Sequence, residues 1–311
     1  MAADHAEAVK WWRRAAEQGH ARAQGNLGWA YENGEGVEKD DAKAVKWYGK
    51  AAEQGLAAPQ FDLGVAYETG KGIAKDDAEA AKWYRKAAEQ GHARAQYNLG
   101  SMYRLGDGVA QNDAEAVKWY RKVAEQGLAE AQFILGVAYE EGKGIAKDDA
   151  EAVKWYRKAA EQGLANGQSS LGWMYYSGEG VVQNYADAVK WYRKAAEQGF
   201  PKAQYNLGLM YDNGEGIAED DAEAVKWYGR AAEQGDVDAQ LNLGVMYAKG
   251  EAVAEDYVLA HMWLNLARAQ GNEGATKNLQ KLTPRMTKDQ VAEAQKMARE
   301  WQENHRSSGG E

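Results

Sequence analysis

The sequence predicts an all-α protein built from 36-residue helix–turn–helix repeats. A tryptophan recurs at an unbroken spacing of 36 residues, and a Leu-Gly pair and a tyrosine keep the same interval. The composition agrees, because 12 Trp and 18 Tyr against 3 Phe and 3 Pro indicate a few positions filled repeatedly with the same residue. The tryptophans are Trp11, Trp47, Trp83, Trp119, Trp155, Trp191, Trp227 and Trp263.

Each repeat contains two amphipathic segments. The first, helix A, is exemplified by residues 21–33 and places Leu27 and Tyr31 on one apolar face, while Gly28 permits close approach of a neighbouring backbone. The second, helix B, is exemplified by residues 41–54 and carries Trp47 on its apolar face. Neither helix buries that face alone, so consecutive repeats are expected to stack.

The loop between helices A and B carries paired glycines followed by acidic residues, as in YENGEGVEKDD at 31–41. A phosphate-binding loop requires a longer glycine frame that ends in Lys-Ser/Thr, and a calcium loop requires five or more oxygen ligands within one turn. We interpret the loop as a turn in which Gly34 ends helix A and an Asp or Asn caps helix B, with an acidic residue three positions later. The capping pairs are Asp4/Glu7, Asp76/Glu79, Asn112/Glu115, Asp148/Glu151, Asn184/Asp187 and Asp220/Glu223.

The pattern AxAQxNLGxMYxxGxGVxxDxxxAxxWYxKAAEQG resembles the Sel-one-like repeat family, a relative of the tetratricopeptide repeats, over about residues 4–282. The resemblance implies an α/α solenoid in which helix A lines a concave surface and helix B a convex one. We therefore predict a right-handed α/α superhelical solenoid. The resemblance also implies that the protein holds protein partners. The chain lacks the cysteine pairs of the disulfide-bearing members.

The repeats divide the chain into four parts. We predict an N-terminal half repeat consisting of helix B alone (4–19), seven complete repeats (20–271), C-terminal capping helices (272–304) and a disordered tail (305–311). Ala252 replaces the second loop glycine of the last repeat. Thr287 and Gln290 form a capping box for the final helix.

Two pairs of segments are more alike than the repeat pattern requires. Residues 20–44 resemble 92–116, and 56–80 resemble 128–152 even more closely. A block of two repeats, 72 residues long, is therefore expected to have been duplicated.

Composition excludes several classes of function. The net charge is −9 and charges of both signs alternate, which argues against nucleic acid as a partner. There is no Cys, so disulfides and thiolate chemistry are excluded. No apolar run approaches the roughly 18 residues of a membrane span, and we expect a soluble monomer. The sequence does not identify the cellular compartment. The resemblance favours the periplasm or secretion if an export signal has been removed, and otherwise the cytoplasm.

No catalytic, metal or cofactor site is predicted. The five histidines are dispersed, and no Ser lies in a nucleophile frame beside a base. Some relatives bind or slowly hydrolyse β-lactams, so a weak hydrolase or β-lactam-binding protein is one alternative to a scaffold. An engineered, consensus-like repeat scaffold without a native partner is another, because the repeats are so similar.

The face of helix A opposite its core carries large side chains where water alone would favour polar ones. This face also varies most between repeats, as expected of positions that fit a ligand. An Asn amide there can hold a peptide backbone. The alternative is that the rings at position 25 and its equivalents pack between repeats. We predict that a protein or peptide segment binds the concave face through Trp29, Phe61, Tyr97, Asn98, Arg104, Phe133, Trp173, Tyr205 and Asn206.

Overall fold

The computed structural model describes residues 2–306, with side chains described for 5–305. These residues form seventeen α-helices and one 3₁₀ turn, and no strand occurs among them. The prediction of an all-α repeat solenoid is confirmed. The chain divides into two compact units, residues 1–155 and 156–311. Of the predicted tail, 305–311, the first two residues belong to the last helix, and 307–311 lie outside the described residues.

Helices of types A and B alternate along both units. The first unit contains α1 (Ala2–Glu17), α2 (Ala21–Asn33), α3 (Asp41–Glu53), α4 (Ala57–Thr69), α5 (Asp77–Glu89), α6 (Ala93–Leu105), α7 (Asp113–Glu125) and α8 (Ala129–Glu141). Helix α9 (Asp149–Glu161) includes the boundary. The second unit contains α10 (Ala165–Ser177), α11 (Tyr185–Glu197), α12 (Pro201–Asn213), α13 (Asp221–Glu233), α14 (Val237–Lys249), α15 (Tyr257–Ala269), α16 (Glu273–Leu282), the 3₁₀ turn Thr283–Arg285 and α17 (Lys288–Arg306). From α1 to α8 and from α10 to α16, each helix packs against the next one along the chain, and α17 packs against α15.

Helices A and B of one repeat meet where a tyrosine ring lies flat against a glycine. Leu27 is fully buried, and a Cβ at Gly28 would lie 2.7 Å from the Tyr48 ring. The same pairing joins Gly64 to Tyr84 in the first unit and Gly208 to Tyr228 in the second. The Leu-Gly pair therefore sets the distance between the two helices, because any side chain at the glycine would displace the ring.

The two loop glycines have different roles. Gly70 has a φ of 73° and caps α4, which confirms the predicted helix stop. Gly72 has the same φ of 73°, and a side-chain carbon there would overlap the carbonyl group of Asp41, the first residue of the preceding helix B. Gly108 meets Asp77 in the same way. The second glycine is thus the contact by which one repeat lies on the start of the previous one, a role that the sequence did not predict.

The predicted N-caps of helix B are confirmed from the first complete repeat onward. The Asp40 carboxylate accepts a hydrogen bond from the Lys43 amide at 2.9 Å, and Asp76 accepts one from Glu79 at 3.0 Å. Asp4 was wrongly predicted as a cap, because α1 begins at Ala2 and Asp4 lies within it. The alanines at positions 2 and 3 are strong helix formers and favour helix at these positions.

A buried glutamine in each helix A connects two B helices. In the first unit, Gln96 Nε2 donates to the Ala88 carbonyl at the end of α5 at 2.9 Å. Its Oε1 accepts from Gln126 Nε2, beyond the end of α7, at 2.8 Å. In the second unit, Gln204 bonds Ala196 and Gln234 likewise. Because the helix A glutamines are buried, the loss of either hydrogen bond would leave a buried polar atom without a partner, which is costly.

The C-terminal end of the second unit is covered by α17. Thr287 and Gln290 exchange the two hydrogen bonds of a capping box at 2.9 and 3.2 Å, as predicted. Trp301 packs edge-on against Trp263, with ring centres 6.3 Å apart. In the last loop, Ala252 keeps a left-handed φ of 55°, so the loop conformation persists there without its glycine.

Replacing the second loop glycine tests the contact between repeats. Gly72→Ala should lower the free energy of unfolding by about 2 kcal/mol or more, because a left-handed alanine is strained and its Cβ overlaps the α3 backbone. The matched control is Gly49→Ala within α3, where nothing lies within 4 Å and a gain of about 0.5–1 kcal/mol is expected. Urea denaturation measures both; equal stability of the two variants would contradict the assignment.

The glutamine pair is tested by a double-mutant cycle. Gln96→Ala, Gln126→Ala and the double variant should show a coupling energy of about 1 kcal/mol in urea unfolding, because the two amides bond each other. Additive losses would mean that the two side chains stabilise the protein independently.

Candidate functional site

Two tryptophans stand out on the outward face of helix A. Trp29 on α2 is 43% exposed, and Trp173 on α10 is 44% exposed. Buried or half-buried positions are usual for tryptophan, and an exposed indole at a protein surface is typical of an interaction site. Trp29 lies in the first unit and Trp173 in the second.

The four predicted aromatic residues at position 25 equivalents are half-buried. Phe61 stacks on His92, with ring centres 4.7 Å apart, and lies 5.7 Å from the Tyr84 ring. Tyr97 meets Tyr120 edge-on at 5.5 Å. The corresponding ring in the second unit is that of Tyr205, 5.8 Å from Tyr228. Phe133 is also half-buried. These rings therefore contact neighbouring helices on one side and keep part of their surface accessible.

The polar members of the predicted site also have partners. The Asn98 and Asn206 amides hydrogen-bond the hydroxyl groups of Tyr84 and Tyr192. Arg104 is exposed at the end of α6. The two asparagines thus already interact with helix B, which leaves part of each amide for a further hydrogen bond.

A cavity of about 220 Å³ opens between α2, α3 and α4 in the first unit. Its walls are Val45, Tyr48, Phe61, Val65 and Ala66, and its polar lining is Glu32, Asp41, Asp62, Thr69 and Lys71. It contains three carboxyl groups against one ammonium group. The cavity thus combines an apolar wall with an excess of negative charge.

The carboxyl groups of this cavity differ in their environment. Burial raises the pKa of Glu32, but the Tyr48 hydroxyl at 2.7 Å and the Lys71 ammonium at 3.1 Å together bring it below its usual value. Burial, aided by the nearby Glu32 charge, raises the pKa of Asp62 to about 7. No hydrogen bond or ion pair reaches the Asp62 carboxyl from the other described residues. Glu32 is therefore held ionised while Asp62 is left without a compensating partner.

Asp62 also borders a second cavity, of about 420 Å³. This cavity lies between α2 and α4 and is lined by Arg22, Asn26, Trp29 and Pro59 among others. The exposed Trp29 and the half-buried Phe61 thus line two cavities that share one carboxyl group. This is where the structure brings predicted site residues together.

An equivalent cavity of about 510 Å³ lies two repeats later, between α6, α7 and α8. Arg104 stands in place of Glu32 and Ile134 in place of Asp62. Leu105 and Val137 extend its apolar lining. Two carboxyl groups, those of Asp113 and Glu141, are matched in this lining by Arg104 and Lys143, so the excess of negative charge found in the first cavity is absent here.

In the second unit, Trp173 belongs to a cluster of three rings. It stacks on Tyr176 with centres 5.8 Å apart, and Tyr176 lies 5.4 Å from Tyr185. Tyr176 stands at the position of Glu32 in its repeat, and Tyr185 at that of Asp41. This repeat thus replaces two acids by aromatic rings at the same edge.

Sequence reasoning did not predict that Asp62 and Ile134 line cavities. A signal was present in the duplicated segments 56–80 and 128–152, which differ at four positions only. The differences are Ala58/Glu130, Pro59/Ala131, Asp62/Ile134 and Thr69/Glu141. In the first copy all four positions line one of the two cavities around Asp62.

The described part of the chain holds no group of three or more His, Asp or Glu side chains arranged for a metal ion. Within the same residues, no helix has the length and apolar character needed to cross a bilayer.

The sequence model of the Sel1 repeat matches eight segments: residues 1–20, 21–56, 60–92, 93–128, 129–164, 165–200, 201–236 and 237–272. The solved structures include a protective antigen present in uropathogenic Escherichia coli strains, which displays an SLR fold. It is 37% identical, with a TM-score of 0.68, over 96% of this chain and 72% of that one. A Sel1 repeat protein from Oxalobacter formigenes is also 37% identical, with a TM-score of 0.70, over 88% and 79% of the two chains. None of the curated proteins compared with the chain matches it.

The raised pKa of Asp62 predicts a pH-dependent effect on stability. The native state keeps this proton between about pH 4 and 7 while the unfolded state has lost it, so the Asp62 contribution to stability falls as pH rises through that window. Asp62→Asn should therefore resemble the wild type at pH 4 and exceed its unfolding free energy by about 2 kcal/mol at pH 8. Urea unfolding at both pH values measures this, with Asp107→Asn, an exposed loop carboxyl, as the control. A pH-independent difference would contradict the assignment.

Proposed function

Because the chain belongs to the Sel1 repeat family, whose solenoids are generally scaffolds for protein–protein interaction, we propose that it binds a protein or peptide segment along the outward faces of its A helices. In the family these faces line the concave surface. The binding residues are the predicted set, Trp29, Phe61, Tyr97, Asn98, Arg104, Phe133, Trp173, Tyr205 and Asn206.

The exposure of Trp29 and Trp173 is the observation that carries the proposal. Each ring leaves more than two fifths of its surface in solvent, although the indole is the largest apolar side chain. Aromatic anchors of this kind commonly contribute about 2 kcal/mol or more to an interface, since binding removes their surface from water. Nothing in the packing of either unit requires an indole at these positions, because the equivalent residues are small or aliphatic, as with Val65, Ser101 and Val137.

The remaining residues have supporting roles in this proposal. The half-buried rings of Phe61, Tyr97 and Phe133 in the first unit provide a rigid apolar floor, since they already contact neighbouring helices. Asn98 and Asn206 orient a bound main chain by donating and accepting hydrogen bonds. Sel1 repeat proteins are generally non-catalytic, and the proposed function includes no reaction.

Selection of a phage-displayed peptide library against the immobilised protein tests the proposal, because the library itself supplies the binding segments. Trp29→Ala and Trp173→Ala should each weaken binding of the selected peptides by about tenfold or more while leaving the melting temperature almost unchanged. Selection on the separate variants identifies which unit each peptide requires.

The control is Trp11→Ala, which removes an equally large side chain, 57% exposed, from a helix of type B. Its affinity for the selected peptides should equal that of the wild type. Peptides that depend on Trp11 and not on Trp29 or Trp173 would place binding on the other face and overturn the proposal.

A further inference from the structure

The cavity between α2, α3 and α4 is a pocket with a defined chemical preference. Its apolar wall includes Val45, Phe61 and Val65, and Asp62 lines both this cavity and the one that contains Trp29. A side chain with an aliphatic stem and a polar end matches this lining, because its stem can contact the apolar wall and its end the polar groups.

Charge decides which polar end fits. Lys71, from the loop after α4, lies 3.1 Å from Glu32 on α2 and 3.6 Å from Asp41 on α3. Arg22 on α2 lines the Trp29 cavity and makes no ion pair of 4 Å or less with Asp62 among the described residues. The Tyr48 hydroxyl on α3 donates to Glu32. After these pairings, the Asp62 carboxyl group still has no cationic partner, and the Glu32 carboxylate beside it is ionised. The cavity therefore favours a cation and disfavours an anion.

The ring of Trp29 offers the second contact that a cation can use. The face of an indole attracts ammonium and guanidinium groups, and the effect is greatest where water is partly excluded. Trp29 and Asp62 line the same cavity, so an indole and a carboxyl group are both available to a cation bound there.

Comparison with the equivalent cavity gives an independent reason to connect these residues with a ligand. The segments 56–80 and 128–152 are identical except at the four positions given above, and in the first copy all four face the cavities. Apart from Pro59, which Ala131 replaces, the buried residues are unchanged, and so are the capping residues. The exchange of Asp62 for Ile134, together with Glu32 for Arg104, thus alters the lining of a cavity and leaves the helix packing as it was.

We propose that the cavity between α2, α3 and α4 receives the arginine or lysine side chain of a bound protein segment, whereas the equivalent cavity between α6, α7 and α8, whose carboxyl groups are matched by Arg104 and Lys143, has no such preference for a cation. The proposal rests on the proposed function, because the cationic residue belongs to the segment that crosses the helix A face. It adds the chemistry of the partner, which contains a basic residue that docks beside Trp29.

N-Ethylguanidinium, which reproduces the end of an arginine side chain, tests the pocket without any peptide. Its neutral counterpart of similar shape, N-ethylurea, is the matched probe. In nuclear magnetic resonance titrations of the full chain at pH 8, above the Asp62 pKa of about 7, N-ethylguanidinium should shift the Trp29 indole N–H and the residue 62 amide at millimolar concentration. N-Ethylurea should bind at least about tenfold more weakly, because it carries no charge for the Asp62 and Glu32 carboxylates.

Asp62→Ile is the decisive variant, since isoleucine already occupies this position in the nearly identical repeat that contains α8. It should fold, as judged by circular dichroism, and lose the N-ethylguanidinium response by at least about tenfold. The reciprocal pair Arg104→Glu and Ile134→Asp should create a second N-ethylguanidinium site between α6, α7 and α8. An equal response to the charged and neutral probes, or an unchanged response in Asp62→Ile, would overturn the proposal.

The two proposals fail in different ways. Loss of peptide binding in Trp29→Ala without any N-ethylguanidinium response would support the helix A face as a docking surface and refute the cation pocket. Binding of N-ethylguanidinium by a protein whose selected peptides ignore both tryptophans would refute the proposed peptide surface while supporting the pocket.

Discussion

The contact of each second loop glycine with the start of the preceding helix B is the constraint on which the repeat depends. Gly72 approaches the Asp41 carbonyl so closely that no side chain fits between them, and Gly108 approaches Asp77 in the same way. Both pairs are separated by the same number of residues along the chain. Any insertion between the start of one helix B and the next loop would break this contact, which is consistent with a 36-residue period that continues without interruption.

The remaining packing is arranged around that contact and leaves one face free. Tyr84 lies against Gly64, and Gln96 joins the ends of two B helices, so the core of each repeat is occupied by residues that have no room to vary. The outward face of helix A takes no part in these contacts except through half-buried rings. Substitutions can therefore accumulate there while the same helices form, as the exchange of Asp62 for Ile134 illustrates.

The periodic pattern was sufficient to predict the helices, because the residue type at each repeat position indicates whether that position is buried or exposed. Helix α2 spans the residues predicted for helix A, and Gly70 ends α4 as its place after the periodic residues indicates.

The role of Gly72 could not be predicted, since it depends on a backbone atom far away in the sequence. The cavity at Asp62 was also beyond prediction, because three helices form its walls and the absence of a partner for Asp62 is a property of their packing. The half-buried rings of Phe61 and Tyr97 show why pattern alone left two interpretations open: the same ring has one face in the core and one in solvent.

The extent of the Asp62 cavity along the chain bears on how such a protein diversifies. Its lining runs from Glu32 to Lys71, which is longer than one 36-residue repeat. Duplication of a single repeat therefore cannot copy the whole pocket, and its new pocket would combine residues from both sides of the junction. A block of two repeats, 72 residues long, contains all the residues of one pocket. The resemblance of 56–80 to 128–152 indicates that a block of this length was duplicated. A recognition pocket is thus inherited with two repeats, although one repeat is the structural unit of the fold. Its binding specificity can be copied complete and then changed by a few point mutations.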